Sequence, residues 1–454
     1  MKRNNTHTGN LLEPYRGDVS RCVKCGACGA ACPSYGYARD ESFSARGRMA
    51  LVKAVLDHAL SPSQLFKDRL STCTSCLACE ASCPSNVPVT EIIQAAKEQA
   101  VAESGRGIVA SVIASTLKQP ALFRAAAWLA PVVLHYEKGP LSGTTGKRMR
   151  SAECGVRNDG AGRGHRMRNA ECGVRNSKMH KAHGRVAFFP GCAVEHFQED
   201  IGEATIGVLN AVGYDVIIPE GLKCCGRPLL SLGDRRAAEE LAAHNAALFE
   251  ALEVDAIVTA CASCGLTFKK EYPALLLSGM KAPVVLDIHE FLSTRLAGIR
   301  LNPVKESVTI HDPCHLGRGQ GLSRIVRGLL SAIPGLTLTE MKDADRCCGF
   351  GGVMRITHSG LSDGIAEAKV KNIRASGASV VATGCPGCRM QIADALKRHG
   401  SDIEVVHPVQ LLKQALSNTE CGLTGQGAGS YREVAGGLNK ECKKNPKHEF
   451  LNPK

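Results

Sequence analysis

No stretch of the 454-residue chain is both apolar enough and long enough to cross a bilayer. The most apolar run, Ala121 to Leu134, is too short and contains Arg124 and Pro131, so a buried helix broken at the proline is expected, with an interfacial helix as the alternative. An apolar leader is missing as well: Met1 to Asp18 has no segment of signal length, which leads us to expect a reducing cytoplasm where disulfides do not persist. Also lacking is a G-x-G-x-x-G between a strand and a helix, so no dinucleotide or flavin is expected on this chain. Aromatic residues are scarce, at 4% with a single Trp. Charge and hydrophobicity are ordinary, at 22% and 44%, and the length suits two to four globular domains.

The net charge of +13 would suggest a nucleic acid partner if it were spread over a face. It is concentrated instead. Between Lys147 and Arg185 stand eleven Lys and Arg against three acids, which leaves +5 for the rest. That stretch holds a tandem near-repeat, Arg148 to Asp159 and Arg166 to Ser177, with ten identities in twelve and no apolar periodicity. Two copies cannot form a solenoid, and no aromatic residues interleave with the basic ones. We read 142–184 as a basic insertion or linker and expect no nucleic acid; Cys154 and Cys172 within it lack local partners. The Gly-rich and Lys-rich tail, 417–454 with isolated Cys421 and Cys442, is expected to be poorly ordered.

The 22 cysteines are clustered. Cys22-x2-Cys25-x2-Cys28-x3-Cys32-Pro33 returns after 40 residues as Cys73-x2-Cys76-x2-Cys79-x3-Cys83-Pro84. Three thiolates at this spacing wrap one 4Fe-4S cube while the fourth, before proline, reaches the other. The expected sets are crossed: Cys22, Cys25, Cys28 and Cys83 for one 4Fe-4S cluster, Cys73, Cys76, Cys79 and Cys32 for the second. Zinc is the competing metal, yet each run has the spacing of a cube rather than of paired knuckles. Small residues between the thiolates allow close backbone approach, and Arg46 to Leu60 between the runs has helical periodicity.

From Arg185 the chain repeats itself. Cys192, Cys224-Cys225 and Cys261-x2-Cys264 recur as Cys314, Cys347-Cys348 and Cys385-x2-Cys388, offset by 122, 123 and 124 residues. Each copy alternates strand-like runs ending in cysteine (Val186 to Cys192, Ala256 to Cys261, Val308 to Cys314, Ser379 to Cys385) with helical stretches, which implies a parallel α/β sheet. Sites in such sheets lie beyond the carboxyl ends of the strands, so five thiolates per copy can converge. Five is one more than a cubane or zinc needs, so each copy predicts either an unusual cluster or four ligands with a reactive thiol. His311, Asp312, His315, His289 and His407 read as structural residues, and Gly349, Gly351 and Gly352 as points of close backbone approach.

The paired ferredoxin motifs with SARGRMALVK between them, followed by two C…CCG…CxxC modules, resemble the iron-sulfur subunit of glycolate oxidase, over about Leu12 to Leu117 and Gly184 to Ala415. The layout is also similar to that of the corresponding cysteine-rich subunits of anaerobic glycerol-3-phosphate dehydrogenase and of heterodisulfide reductase. The resemblance implies an α+β multidomain protein: a two-cluster ferredoxin module at 12–100, a helical connector at 101–141, and homologous cysteine-rich domains at 185–300 and 301–416. It also implies further clusters in the cysteine-rich domains, which in heterodisulfide reductases use all five cysteines for a noncubane cluster. FAD is implied on a partner dehydrogenase subunit, and a quinone or other compound as acceptor. Location is expected to be cytoplasmic, with peripheral association at the inner membrane face left open. The leading expectation is electron transfer in a glycolate or D-lactate oxidase, with no catalytic residue assigned. The alternatives are a thiol-disulfide reductase acting at the cysteine-rich crevice and a zinc-bound scaffold.

Overall fold

A computed structural model describes residues 10–119 and 183–417. The run Ala121 to Leu134, the near-repeat with Cys154 and Cys172, and the tail with Cys421 and Cys442 lie outside these residues.

The N-terminal part is helical. Short helices Ala27–Ala31 and Ala78–Ala81 follow the two cysteine loops, with Ala45–Leu56 and Gln64–Ser71 between them and Val89–Ser104 after them. Serines start the middle pair: the Ser44 hydroxyl accepts from the Gly47 N–H at 2.8 Å, and that of Ser63 from the Phe66 N–H at 3.2 Å. Met49, Val52 and Leu56 recur at helical spacing and bury one face against Phe66, Leu70, Ile92, Ile93 and Ala96. A side chain at Gly47 would collide with the Glu41 carbonyl oxygen, so this position in SARGRMALVK has to be glycine.

Two parallel sheets follow. Strands β1 (Gly184–Phe189), β2 (Tyr214–Ile217), β3 (Ala256–Thr259) and β4 (Val285–Asp287) lie in the order β2-β1-β3-β4. Strands β5 (Ser307–Ile310), β6 (Thr337–Leu338), β7 (Val380–Ala382) and β8 (Glu404–Val406) repeat it as β6-β5-β7-β8. Val186 pairs with Val216 and Ala256, and its counterpart Val308 with Leu338 and Val380. The chain leaves β1 and β5 toward one side and crosses back to pair on the other, which opens a crevice beyond the central strands.

Strand alternation divides the packing. Val186 and Phe188 enter one core shared with Val308, Ile310 and Val381 of the second half. Ala187 and Phe189 enter another, with Leu241, Phe249 and Phe268, which Ala114 and Leu117 of helix Ile108–Lys118 also join. Burying a side chain such as Phe188 contributes about 1.5–3 kcal/mol, so the shared core holds the two halves firmly together.

Candidate metal centres

The first group of thiols lines a surface pocket: Cys22, Cys25, Cys28 and Cys83, with Arg46, Met49 and Val87. Cys25 is exposed, and the Val87 N–H donates to the Cys83 Sγ at 3.5 Å. The second group is deeper. Cys32, Cys76 and Cys79 are buried, and burial together with the charges of Cys73, Cys76 and Cys32 pushes the Cys79 thiol far up. The two loops share an uncommon backbone. Lys24 and Gly26 flank Cys25 with φ of 57° and 86°, while Ser75 and Leu77 flank Cys76 with 50° and 63°. Left-handed non-glycine residues cost on the order of 1 kcal/mol each, and such strain concentrates at sites that the surrounding fold over-determines. No turn signature in the sequence announces Lys24, Ser75 or Leu77.

The third group comprises Cys192, Cys224, Cys225, Cys261 and Cys264. The Cys224 thiol donates to Cys192 at 3.9 Å, and hydrogen-bond contacts join Cys224 to Cys225, Cys225 to Cys264 and Cys264 to Cys261. Gly191 has φ of 70°, and a Cβ there would stand 3.0 Å from the Cys264 Sγ. The fourth group repeats the chain of contacts, Cys314 to Cys347, Cys347 to Cys348, Cys348 to Cys388 and Cys388 to Cys385. Hydrogen bonds from Cys347 and Cys388 hold the Cys348 thiol well below the usual range. After each cysteine pair the glycine is left-handed, Gly226 at φ 91° and Gly349 at 92°, turning the chain sharply behind the two thiols.

The groups touch. Cys76 of the second is in hydrogen-bond contact with Cys347 of the fourth, and Cys261 of the third with Cys385 of the fourth. His315 ties three groups together: its Nε2–H donates to the Ser75 carbonyl at 3.3 Å and its Nδ1 accepts from the Ser263 hydroxyl at 3.0 Å. Burial, with Arg227 nearby, lowers its pKa to about 4, so the ring is neutral. Beside the third group, Cys192 and Cys224 line a cleft with Leu117, Glu195, His196 and Lys223.

Cations accompany the buried groups, and the cysteine spacings gave no hint of them. Buried Arg48 donates to the Arg69 carbonyl at 2.8 Å and the Thr72 hydroxyl at 2.7 Å, and its Nη1 lies 4.0 Å from the Cys32 Sγ. Lys97, near Cys73, and Lys369, near Cys348 and Cys347, are each pushed down to about 8 by burial. Arg227 serves Cys225. The helical period carried the missed signal: Lys97 follows Ile93 by four residues, and Lys369 lies four from both Ile365 and Ile373, on buried faces.

The histidines read as structural divide. His315 has both ring nitrogens partnered, but the Nε2 atoms of His289 and His311 have no hydrogen-bond partner among the described residues. His289 hydrogen-bonds Asp287 through Nδ1 at 2.6 Å and stacks on His407 with ring centroids 5.3 Å apart.

The donor chemistry fits iron-sulfur. All donors in the first two groups are sulfur, four to a group, and burial keeps the Cys76 and Cys79 thiols protonated unless a metal's charge displaces the proton. A two-loop helical module joined to two parallel sheets with thiols at their carboxyl ends defines an iron-sulfur protein with a dicluster and a duplicated cysteine-rich unit. The sequence profile of the 4Fe-4S dicluster domain matches residues 18–87, and that of the cysteine-rich domain matches 186–269 and 308–393. The "Probable glycolate oxidase iron-sulfur subunit" of Bacillus subtilis is 30% identical over 425 residues, 88% of this chain and 94% of that one. One subunit of the dihydromethanophenazine:CoB--CoM heterodisulfide reductase of Methanosarcina barkeri is 28% identical, over 90% of this chain and 97% of that one. One subunit of the fumarate reductase (CoM/CoB) of Methanothermobacter marburgensis is 39% identical over 235 residues; the match spans 52% of this chain and about half, 47%, of that protein's length. The chain belongs to the family of iron-sulfur subunits represented by the glycolate oxidase protein.

Proposed function

We propose that this chain is the iron-sulfur electron-transfer subunit of a flavin-dependent 2-hydroxyacid dehydrogenase of the glycolate or D-lactate type. It serves between a partner flavoprotein carrying FAD and a quinone or other acceptor. The observation that carries this reading is the contact that runs from the second thiol group to the fourth through Cys76 and Cys347, and from the fourth to the third through Cys385 and Cys261. Cys22, Cys25, Cys28 and Cys83 would hold one 4Fe-4S cluster and Cys73, Cys76, Cys79 and Cys32 the other. Cys192, Cys224, Cys225, Cys261 and Cys264, and likewise Cys314, Cys347, Cys348, Cys385 and Cys388, would hold further iron-sulfur clusters. Bound there, such clusters supply one-electron transfer, complementing the two-electron hydride chemistry of a flavin on the partner.

The chain's own residues do the rest. Exposed Cys25 leaves the first group within reach of a docked partner. Arg48, Lys97, Arg227 and Lys369 offset negative charge that burial would otherwise make costly. A second reading, thiol-disulfide reduction, draws support from the cleft beside Cys192, where a substrate could approach a complete five-cysteine group.

The test is anaerobic. The native complex is mixed separately with glycolate, D-lactate, glycerol-3-phosphate, and a disulfide plus reductant, while the iron-sulfur visible band is followed. Bleaching by one hydroxy acid, with flavin present, is the expected result. No bleaching by any of the alcohols, with reoxidation of reduced protein by the disulfide, would replace the proposal with the reductase reading.

A further inference from the structure

The two cysteine-rich halves carry the same five cysteines, but the residue three positions before the first of them differs: Phe189 in one, His311 in the other. Each stands at or just past the end of its central strand. Phe189 packs edge-on to Phe268 at 4.9 Å and to Phe249 at 6.1 Å, so an apolar ring satisfies this position in the first half. His311 is fully buried, and a ring nitrogen of it and the Sγ atoms of Cys348 and Cys388 all lie within 4.8 Å of one another.

The tautomer follows from geometry. Nδ1 lies 3.0 Å from the Ala344 carbonyl oxygen, and a carbonyl only accepts, so Nδ1 carries the hydrogen. That same oxygen takes the Asp312 N–H at 3.0 Å and the Lys369 ammonium at 3.2 Å. A neutral imidazole with its hydrogen on Nδ1 has its lone pair on Nε2. No hydrogen-bond partner meets Nε2 among the described residues. An unsatisfied buried polar atom is destabilising, a cost that the homologous phenylalanine would avoid. A histidine whose Nδ1–H is anchored to a backbone carbonyl is also the usual arrangement of an Nε2 metal ligand.

From this juxtaposition we infer that His311 Nε2 is an iron ligand in the second cysteine-rich half, whose donor set is five thiolates and one imidazole nitrogen against five thiolates in the first. The inference rests on the reading that the cysteine-rich halves hold iron. It makes the two sites chemically distinct despite their duplicated cysteines.

The experiment is pulsed EPR on the full-length protein, purified anaerobically and sampled across a redox titration, in natural-abundance form and with 15N-labelled histidine. The expected spectrum has a histidine nitrogen coupling of the size of a directly bound nitrogen, which changes with the isotope. It is lost in His311→Phe while iron beyond that of the first two groups is retained. Should His311→Phe fail to hold iron, His311→Met, which fills the volume with a softer donor, carries the same expectation. Absence of histidine coupling from the iron-loaded wild type, or its survival in the variant, overturns the inference and leaves the electron-transfer reading standing. Absence of iron beyond the first two groups overturns the inference together with the premise that the cysteine-rich halves hold iron.

Discussion

The two cysteine-rich halves have the same strand order, the same five cysteines and the same left-handed glycine after the cysteine pair. Their neighbours differ. The thiols of the second half touch the helical module through Cys347 and the first half through Cys385, so that group is enclosed between two others. The first half makes one such contact, through Cys261, and its Cys192 and Cys224 line a cleft. Duplication reproduced the five cysteines, and the surroundings then set one copy's thiols in contact with two other groups and the other copy's in contact with one. A variant that severs the doubly joined copy should therefore cost more than one that perturbs the singly joined copy.

The largest effect is expected from Cys76→Ala, which removes a donor of the second group and the contact to Cys347 in one step. Substrate-dependent reduction of an added acceptor should be abolished, with one cubane's share of iron lost and the sheet domains still folded by circular dichroism. Turnover at the wild-type rate would show that electrons do not pass through this junction. Next in size is a pair of glycine substitutions. Gly226→Ala and Gly349→Ala impose the same left-handed strain of about 1–2 kcal/mol. A Cβ at Gly226, however, meets nothing nearer than 3.5 Å, whereas at Gly349 it would stand 2.5 Å from the Ser362 carbonyl oxygen. Gly349→Ala should lose a further 1–3 kcal/mol, roughly, to overpacking in chemical denaturation. Equal losses for the two variants would mean that Ser362 moves aside freely and that the second half is no more tightly built than the first.

What could be read in the sequence was local. The four-cysteine runs are legible because a cube dictates its ligand spacing over a dozen residues, and the central strands β1, β3, β5 and β7 follow from apolar runs that each lead into a cysteine. Comparison of the halves was legible too, through offsets that stay near 123 residues. The contacts between groups were not, since Cys76 and Cys347 are brought together by packing of helices and sheets and no spacing encodes that. The loop strain at Lys24, Ser75 and Leu77 escaped because these residue types rarely adopt positive φ, and only the closed geometry of the loop demands it. Lys97 and Lys369 escaped because a lysine on a helix is ordinarily solvated. Their four-residue spacing from buried isoleucines was visible but went against that expectation.

Those cations supply the subtlest way to separate the halves. Arg227, beside Cys225, is already paired with Glu271 at 3.2 Å, so the third group sees a nearly neutral pair. Lys369 is bound by the carbonyls of Asp343 and Ala344, which carry no net charge, so the fourth group sees a full cation. Replacing a cation by a neutral side chain leaves the reduced, more negative form less stabilised and lowers the potential. For a unit charge about 10 Å away in an effective dielectric of about 20, the loss is about 1.7 kcal/mol, or about 70 mV for one electron. Lys369→Met should show a shift of that order for the fourth group, and Arg227→Met less than half of it for the third, in EPR-monitored redox titrations. The pH dependence has a definite sign. With its pKa lowered to about 8, Lys369 is charged at pH 7 and neutral well above 8, so wild type and Lys369→Met should differ fully at pH 7 and converge as pH rises. A difference that persists undiminished at pH 10 would mean that the lysine acts through packing rather than charge, and equal shifts in the two variants would remove the electrostatic distinction between the halves.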